Sequence, residues 1–162
     1  YSDMQIQSFQ KVQLEPVVRL SLRAWEPVFD SLRSVLKPEV YREFYPEGWR
    51  ESQRRVVEDT CRSEEIKVWV ATEGAETVGF VAVKLHPESK LGEIYMIAVD
   101  PEYQRRGIGL ALTNFAVDWM KSAGMSVAMV ETGGDPGHAP ARRVYEQAGF
   151  DLLPIARYFK KL

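Results

Sequence analysis

The chain has 162 residues, of which 45% are hydrophobic and 27% charged, with a formal net charge of −2. Such values describe an ordinary globular protein with a core large enough to fold alone, and they argue against a general binder of nucleic acid or anionic membrane, which would carry excess Lys and Arg. Cys61 is the only cysteine, which excludes an internal disulfide and a cysteine zinc cluster. With no apolar run of about 18 residues and no signal-type segment, the expectation is a cytoplasmic protein that does not enter a membrane. One domain over residues 1–162 is expected, without repeats or linkers; Tyr1-Ser2-Asp3 precede Met4 and read as an expression scar.

Gln5 to Phe9 alternates weakly and predicts a first strand. Val12 to Leu36 is helical in character, with an interrupted apolar stripe of Val17, Leu20, Leu22, Trp25 and Val28-Phe29; Pro16 and Pro27 mark helix starts or breaks. Pro46-Glu47-Gly48 is a turn. Trp49 to Arg62 predicts an amphipathic helix with Trp49, Val56, Val57 and Cys61 near one side. The period then changes. Lys67 to Thr72 and Thr77 to Leu85 predict a hairpin across Glu73-Gly74-Ala75-Glu76. Leu91 to Val99 predicts a third strand, apolar enough to be covered on both faces. Gly107 to Ala123 is the strongest helix, stopped by Gly124. Ser126 to Glu131 predicts a strand, followed by a glycine-rich loop over Thr132 to Gly137. Pro140 opens a short helix that Gly149 caps. Leu152 to Phe159 predicts one or two returning strands. The order defines an α/β protein with a mixed, mostly antiparallel central sheet flanked by helices.

Gln104-Arg105-Arg106-Gly107-Ile108-Gly109 lies between the third strand and the strongest helix. Amides at a helix start, together with the helix dipole, favour an anion. A dinucleotide fingerprint needs a third glycine where Leu112 stands, and a P-loop needs Gly-Lys-Ser/Thr, which is absent. A tight loop with solvated arginines remains the plain alternative.

The same hexapeptide resembles the Gln/Arg-x-x-Gly-x-Gly/Ala acetyl-CoA signature of the GNAT N-acetyltransferase superfamily. The preceding "IYMIAVDPEY" resembles that family's fourth strand and its exit, and "ARRVYEQAGF", Ala141 to Phe150, resembles its second motif. The resemblance covers about Lys67 to Leu162, so residues 67–162 would form the acetyl-CoA-binding core and residues 10–65 a helical acceptor-side segment. It implies that Leu91–Val99 and Ser126–Glu131 are parallel strands splayed at the cofactor site. Ile97, Ala98 and Val99 would pair with the pantetheine arm, one of their N–H groups lying at a bulge. Gln104, Arg105, Arg106, Gly107, Ile108, Gly109 and Leu110 would wrap the pyrophosphate, and His138, Ala141 and Tyr145 would complete the cofactor contacts. His138 stands where family members often carry Asn; it could donate to the pantetheine, line the site, act as a base or simply begin the helix. Tyr145 matches the family's general acid, and Glu131 and Glu93 are the candidate bases, directly or through water.

The resemblance thus implies an acetyl-CoA-dependent N-acetyltransferase acting on a primary amine of a small molecule or peptide, by direct attack in a ternary complex. The alternative is a non-catalytic acyl-CoA-binding or sensing module. Trp25, Phe29 and Tyr45 are candidate acceptor-binding residues, because aromatic faces hold cationic amines; the same rings also suit a core. His86 reads as a turn residue. His86, His138 and Asp135 do not form a credible metal site or hydrolase triad. No metal, nucleic-acid or membrane partner is expected, and "ARYFKKL" offers an edge through which two copies could pair as a homodimer.

Overall fold

A computed structural model describes residues 4–162; the expectation for Tyr1-Ser2-Asp3 lies outside the described residues. The chain runs β1 (Met4–Ser8), α1 (Leu14–Val35), α2 (Pro38–Phe44), α3 (Trp49–Arg62), β2 (Ile66–Glu73), β3 (Glu76–His86), β4 (Leu91–Val99), α4 (Ile108–Ser122), β5 (Val127–Val130) and α5 (Ala139–Gln147). The strands form one sheet in the order β1-β2-β3-β4-β5. Neighbours are antiparallel except β4 and β5, which are parallel because α4 crosses between them.

Each face of the sheet buries its own cluster. Val81, Val83 and Ile94 pack with Ile108, Leu112, Ala116 and Met120 of α4. Val70, Phe80, Ala82, Met96 and Ala98 pack with Val17, Val18 and Leu20 of α1 and Val57 of α3. β4 contributes to both clusters, so its two faces are covered, as its apolar sequence predicts.

Four local expectations change. Pro27 does not break α1; the missing N–H removes one hydrogen bond to the carbonyl of Arg23, but the flanking turns pack on the sheet and carry the helix through. Residues 38–44 form a seven-residue helix started by Pro38, too short for a periodic signal. Val56 is exposed on α3, and Thr60 joins Trp49 and Val57 on the buried side. Residues 151–162 contain no strand. That segment includes Pro154, which cannot donate to a ladder, and side chains tie it down instead: Arg157 lies 3.8 Å from Glu131, Lys161 lies 3.5 Å from Glu43, and the Phe159 ring packs on Phe44.

Candidate active site

β4 is longer than its parallel partner. Pairing with β5 runs from Leu91–Val127 to Ile94–Val130 and stops. β4 continues from Tyr95 to Val99 with its other edge held by β3, where Met96, Ile97, Ala98 and Val99 face Ala82, Val81, Phe80 and Gly79. The ladder slips between Ala82 and Val83, leaving Tyr95 as an extra residue without a partner on β3. The expected bulge thus lies at Tyr95, two residues before Ile97. The bulge changes which face each residue serves: Ile94 and Ile97 both face α4, whereas strict alternation would separate them. Beyond Ile94, one edge of β4 has no strand beside it among the described residues.

The loop after β4 is held firmly at its base. Asp100 is buried and accepts hydrogen bonds from the amide of Glu102 at 2.9 Å and from the Arg23 guanidinium of α1 at 2.9 Å. Gln104 donates its side-chain amide to the Val99 carbonyl at 3.1 Å. The chain then adopts two left-handed residues, Arg105 with φ 65° and Gly107 with φ 82°. Ala111 is the first residue of α4 to donate back, to the Gly107 carbonyl at 2.9 Å. The six preceding amides, Arg105 to Leu110, find no acceptor among the described residues. Such a run of backbone N–H groups at a helix start attracts an anion. Arg105 and Arg106 are exposed, and Arg106 rests on the Tyr103 ring 4.9 Å from its centroid.

α5 closes the other side. A Cβ on Gly109 would lie 3.8 Å from Val99 and 3.9 Å from Val144, so the end of β4, the start of α4 and the middle of α5 meet at that glycine. Tyr145, the next residue of α5, is 8% exposed. Burial pushes its phenol up to about 12, with no other cause. The side chain therefore stays protonated at neutral pH and can donate. His138, Ala141 and Tyr145 recur on one side of the turn-and-helix segment, since spacings of three, four and seven residues share a helical face.

The glycine-rich loop is tied across to α1. Asp135 accepts from the Ser31 hydroxyl at 2.5 Å, from the Gly137 amide at 3.2 Å and from the ring of His138. Burial opposes the charge on Asp135, but the bonds from Ser31 and His138 outweigh it and hold the carboxyl below its usual range. Arg142 fixes the same loop by donating to the carbonyls of Gly133 and Asp135 at 2.5 Å and 2.9 Å. The sequence pattern singled out His138 and placed Asp135 near it, but gave no sign of the bond from Ser31, because that contact joins residues 104 positions apart.

The two carboxylates expected as bases are both engaged. Glu93 accepts from the His86 ring at 2.9 Å, so His86 is more than a turn residue. Glu131, just past β5, has a 58% exposed side chain with Arg157 at 3.8 Å. The acceptor candidates separate as well. Phe29 is 6% exposed, stacked on Trp49 at 4.5 Å and edged by Tyr45 at 5.1 Å, and so packs as a core residue. Trp25 is only partly buried and packs edge-on against Phe80, over the same sheet face as Met96 and Ala98. Tyr45 is also partly buried, and burial and the neighbouring Tyr41 phenol raise its own.

Known proteins share this fold. The Acetyltransferase (GNAT) family model matches residues 38–150, and the chain belongs to that family. It is 34% identical over 111 residues to a mycothiol acetyltransferase of Actinosynnema mirum, covering 64% of this chain and 36% of that one. It is 30% identical over 152 residues to a mycothiol acetyltransferase of Amycolatopsis mediterranei, covering 84% of this chain and 48% of that one. The chain thus spans less than half the length of these curated relatives. Among solved structures, the aminoglycoside acetyltransferase AAC(6')-Iy in complex with a CoA-linked bisubstrate analogue superposes with a TM-score of 0.67 at 16% identity, covering 98% of both chains. The PaiA N-acetyltransferase of Thermoplasma acidophilum in complex with coenzyme A gives a TM-score of 0.69 at 16% identity, covering 94% of this chain and 92% of that one. At these identities the likeness is one of fold. No helix among the described residues is long and apolar enough to cross a membrane.

Proposed function

We propose that the chain is an acetyl-CoA-dependent N-acetyltransferase, moving an acetyl group to a primary amine by direct attack in a ternary complex. The observation that carries this reading is the junction of two unsatisfied backbone surfaces: the open edge of β4 from Tyr95 to Val99, and the six free amides from Arg105 to Leu110. A pantetheine arm is a chain of amides that can lie along a strand edge, and a pyrophosphate is the anion that such a run of N–H groups accepts. In this reading Ile97, Ala98 and Val99 pair with the arm. Gln104 fixes the loop, and Arg105, Arg106, Gly107, Ile108, Gly109 and Leu110 surround the pyrophosphate. Ala141, small and on the inner side of α5, lets the arm pass. Residues 10–65 supply the acceptor side, with Trp25 and Tyr45 as its aromatic walls, and the acceptor is a small-molecule or peptide amine.

Tyr145 gives the site its chemistry. The amine attacks the thioester carbon, and the C–S bond breaks as Tyr145 donates its hydroxyl proton to the departing sulfur. Its buried phenol is kept neutral, which favours an enzyme over a module that only senses acyl-CoA. The test is thiol release from acetyl-CoA with a panel of primary amines, in wild type and Tyr145→Phe. Turnover that falls about 100-fold or more in the variant, with CoA affinity kept, supports the reading. Saturable CoA binding without turnover on any amine supports the sensing module instead.

A further inference from the structure

The attacking nitrogen must lose a proton; Glu93 of β4 is bonded to the His86 ring, and Glu131, just past β5, is largely exposed with Arg157 at 3.8 Å. We propose that His138 takes that proton at Nε2, with Asp135 and Ser31 as the positioning residues that aim it. The proposal rests on the acyl-transfer reading above.

Four observations carry it. First, an ionised carboxylate can only accept, so the bond between His138 and Asp135 places the ring proton on Nδ1 and leaves Nε2 with a free lone pair. Second, the carboxylate that sets this tautomer is itself held from the acceptor side of the molecule, by Ser31 of α1. The Gly137 amide also donates to Ser31 at 3.1 Å, so loop and helix are bonded twice. Third, the imidazole stands against the glycine-rich loop that follows β5: a Cβ on Gly133, two residues after Glu131, would lie 2.6 Å from Nδ1 and 3.0 Å from Cε1. This is the flank of the opening that Glu131 was expected to serve, and the His138 side chain is largely shielded there. Fourth, His138 precedes Tyr145 by seven residues, two helical turns or about 10 Å along the axis on the same face. The proposal sets the amine nitrogen and the thioester between these two side chains.

The proton account closes. As the N–C bond forms, His138 Nε2 takes one proton from the amine nitrogen. As the C–S bond breaks, Tyr145 gives its hydroxyl proton to the sulfur. The imidazolium then returns its proton to the phenolate through water, and both groups are restored. The charged groups around the ring are Asp135 from its own turn and Arg142 from α5; Ser31 is the neutral contact from α1.

The first test reads the tautomer without any substrate, by nitrogen NMR of the histidine rings, with the His138 signal identified by its loss in His138→Gln. The Nδ1–H form in wild type, shifted toward Nε2–H in Asp135→Asn, is the expected result; an Nε2–H ring in wild type overturns the proposal. The second test is the pH profile of kcat/KM with acetyl-CoA and neamine, sisomicin or a peptide with N-terminal alanine as acceptor. His138→Gln should lose about 100-fold or more and its acid-side limb. Asp135→Asn and the milder Ser31→Ala should keep acetyl-CoA affinity while lowering kcat, because each loosens the hold on the imidazole ring. A limb that survives in His138→Gln but vanishes in Glu131→Gln or Glu93→Gln defeats this assignment alone. No turnover by wild type with any amine defeats the acyl-transfer reading and the assignment with it.

Discussion

Ile94 and Val130 form the last rung between β4 and β5, and Tyr95, the next residue of β4, is the bulge. The opening therefore begins where pairing ends and the strand changes face. On the paired side of this point, Gly92 lets Met120 of α4 come close: a Cβ there would lie 2.5 Å from Met120 Cγ. Met120 is itself buried and cannot swing away freely. Gly92→Ala should cost about 1–3 kcal/mol, measured as a lowered midpoint in urea with an unchanged slope.

Gly107 and Gly109 should fail for different reasons. Gly107 has φ 82° with open space around its missing Cβ, so Gly107→Ala strains the backbone and lowers stability by about 1–2 kcal/mol with or without ligand. Gly109 has an ordinary backbone, and a new Cβ would make only van der Waals contact with Val99 and Val144. Gly109→Ala should leave the melting temperature near wild type and weaken CoA binding at least tenfold, read by calorimetry. Arg105 occupies the left-handed region at φ 65°, so Arg105→Gly should raise stability by up to about 1 kcal/mol while slightly weakening CoA.

Tyr145 predicts a pH dependence of stability. The fold favours the neutral phenol, moving it from 10.0 to about 12. Below about pH 10 that preference is silent, because both states hold the proton. Between about pH 10 and 12 the unfolded chain releases its proton while the folded chain keeps it, so about 2–3 kcal/mol of stability is lost as pH rises. Denaturation of wild type and Tyr145→Phe should therefore diverge in that window, with the wild type falling more steeply. Parallel curves would contradict the buried phenol.

Phe29 and Trp25 should separate core from site. Phe29→Ala opens a cavity between Trp49 and Tyr45 and should cost about 3–5 kcal/mol. Trp25→Ala should cost less and instead raise KM for the amine, measured by thiol release under saturating acetyl-CoA.

The legible parts of the sequence are those whose signal is local. α4 announced itself by helical spacing between two glycines, and β4 by a mostly apolar run; both lie within a residue of their expected limits. The Arg105–Gly109 turn was readable because glycine and a helix start have local physical meanings. Other features depend on what packs nearby. Nothing local tells the reader that Phe29 is stacked in the core while Trp25 lies at a partly open surface. The bond from Ser31 to Asp135 joins distant segments, and the register slip at Tyr95 is set by the partner strand β3. Residues 152–159 are apolar enough to suggest a returning strand, yet Arg157 and Phe159 meet Glu131 and Phe44 without a ladder.

The most direct measurement is an amide NMR map of the protein titrated with coenzyme A. Saturable shifts should concentrate at Tyr95–Val99, at Arg105–Leu110 and at the face of His138, Ala141 and Tyr145, with the loop amides moving downfield as they take up the pyrophosphate. Shifts confined to other surfaces, such as the outer edge of β1 and β2, or no saturable shift at all, would contradict the assignment of this opening to acetyl-CoA.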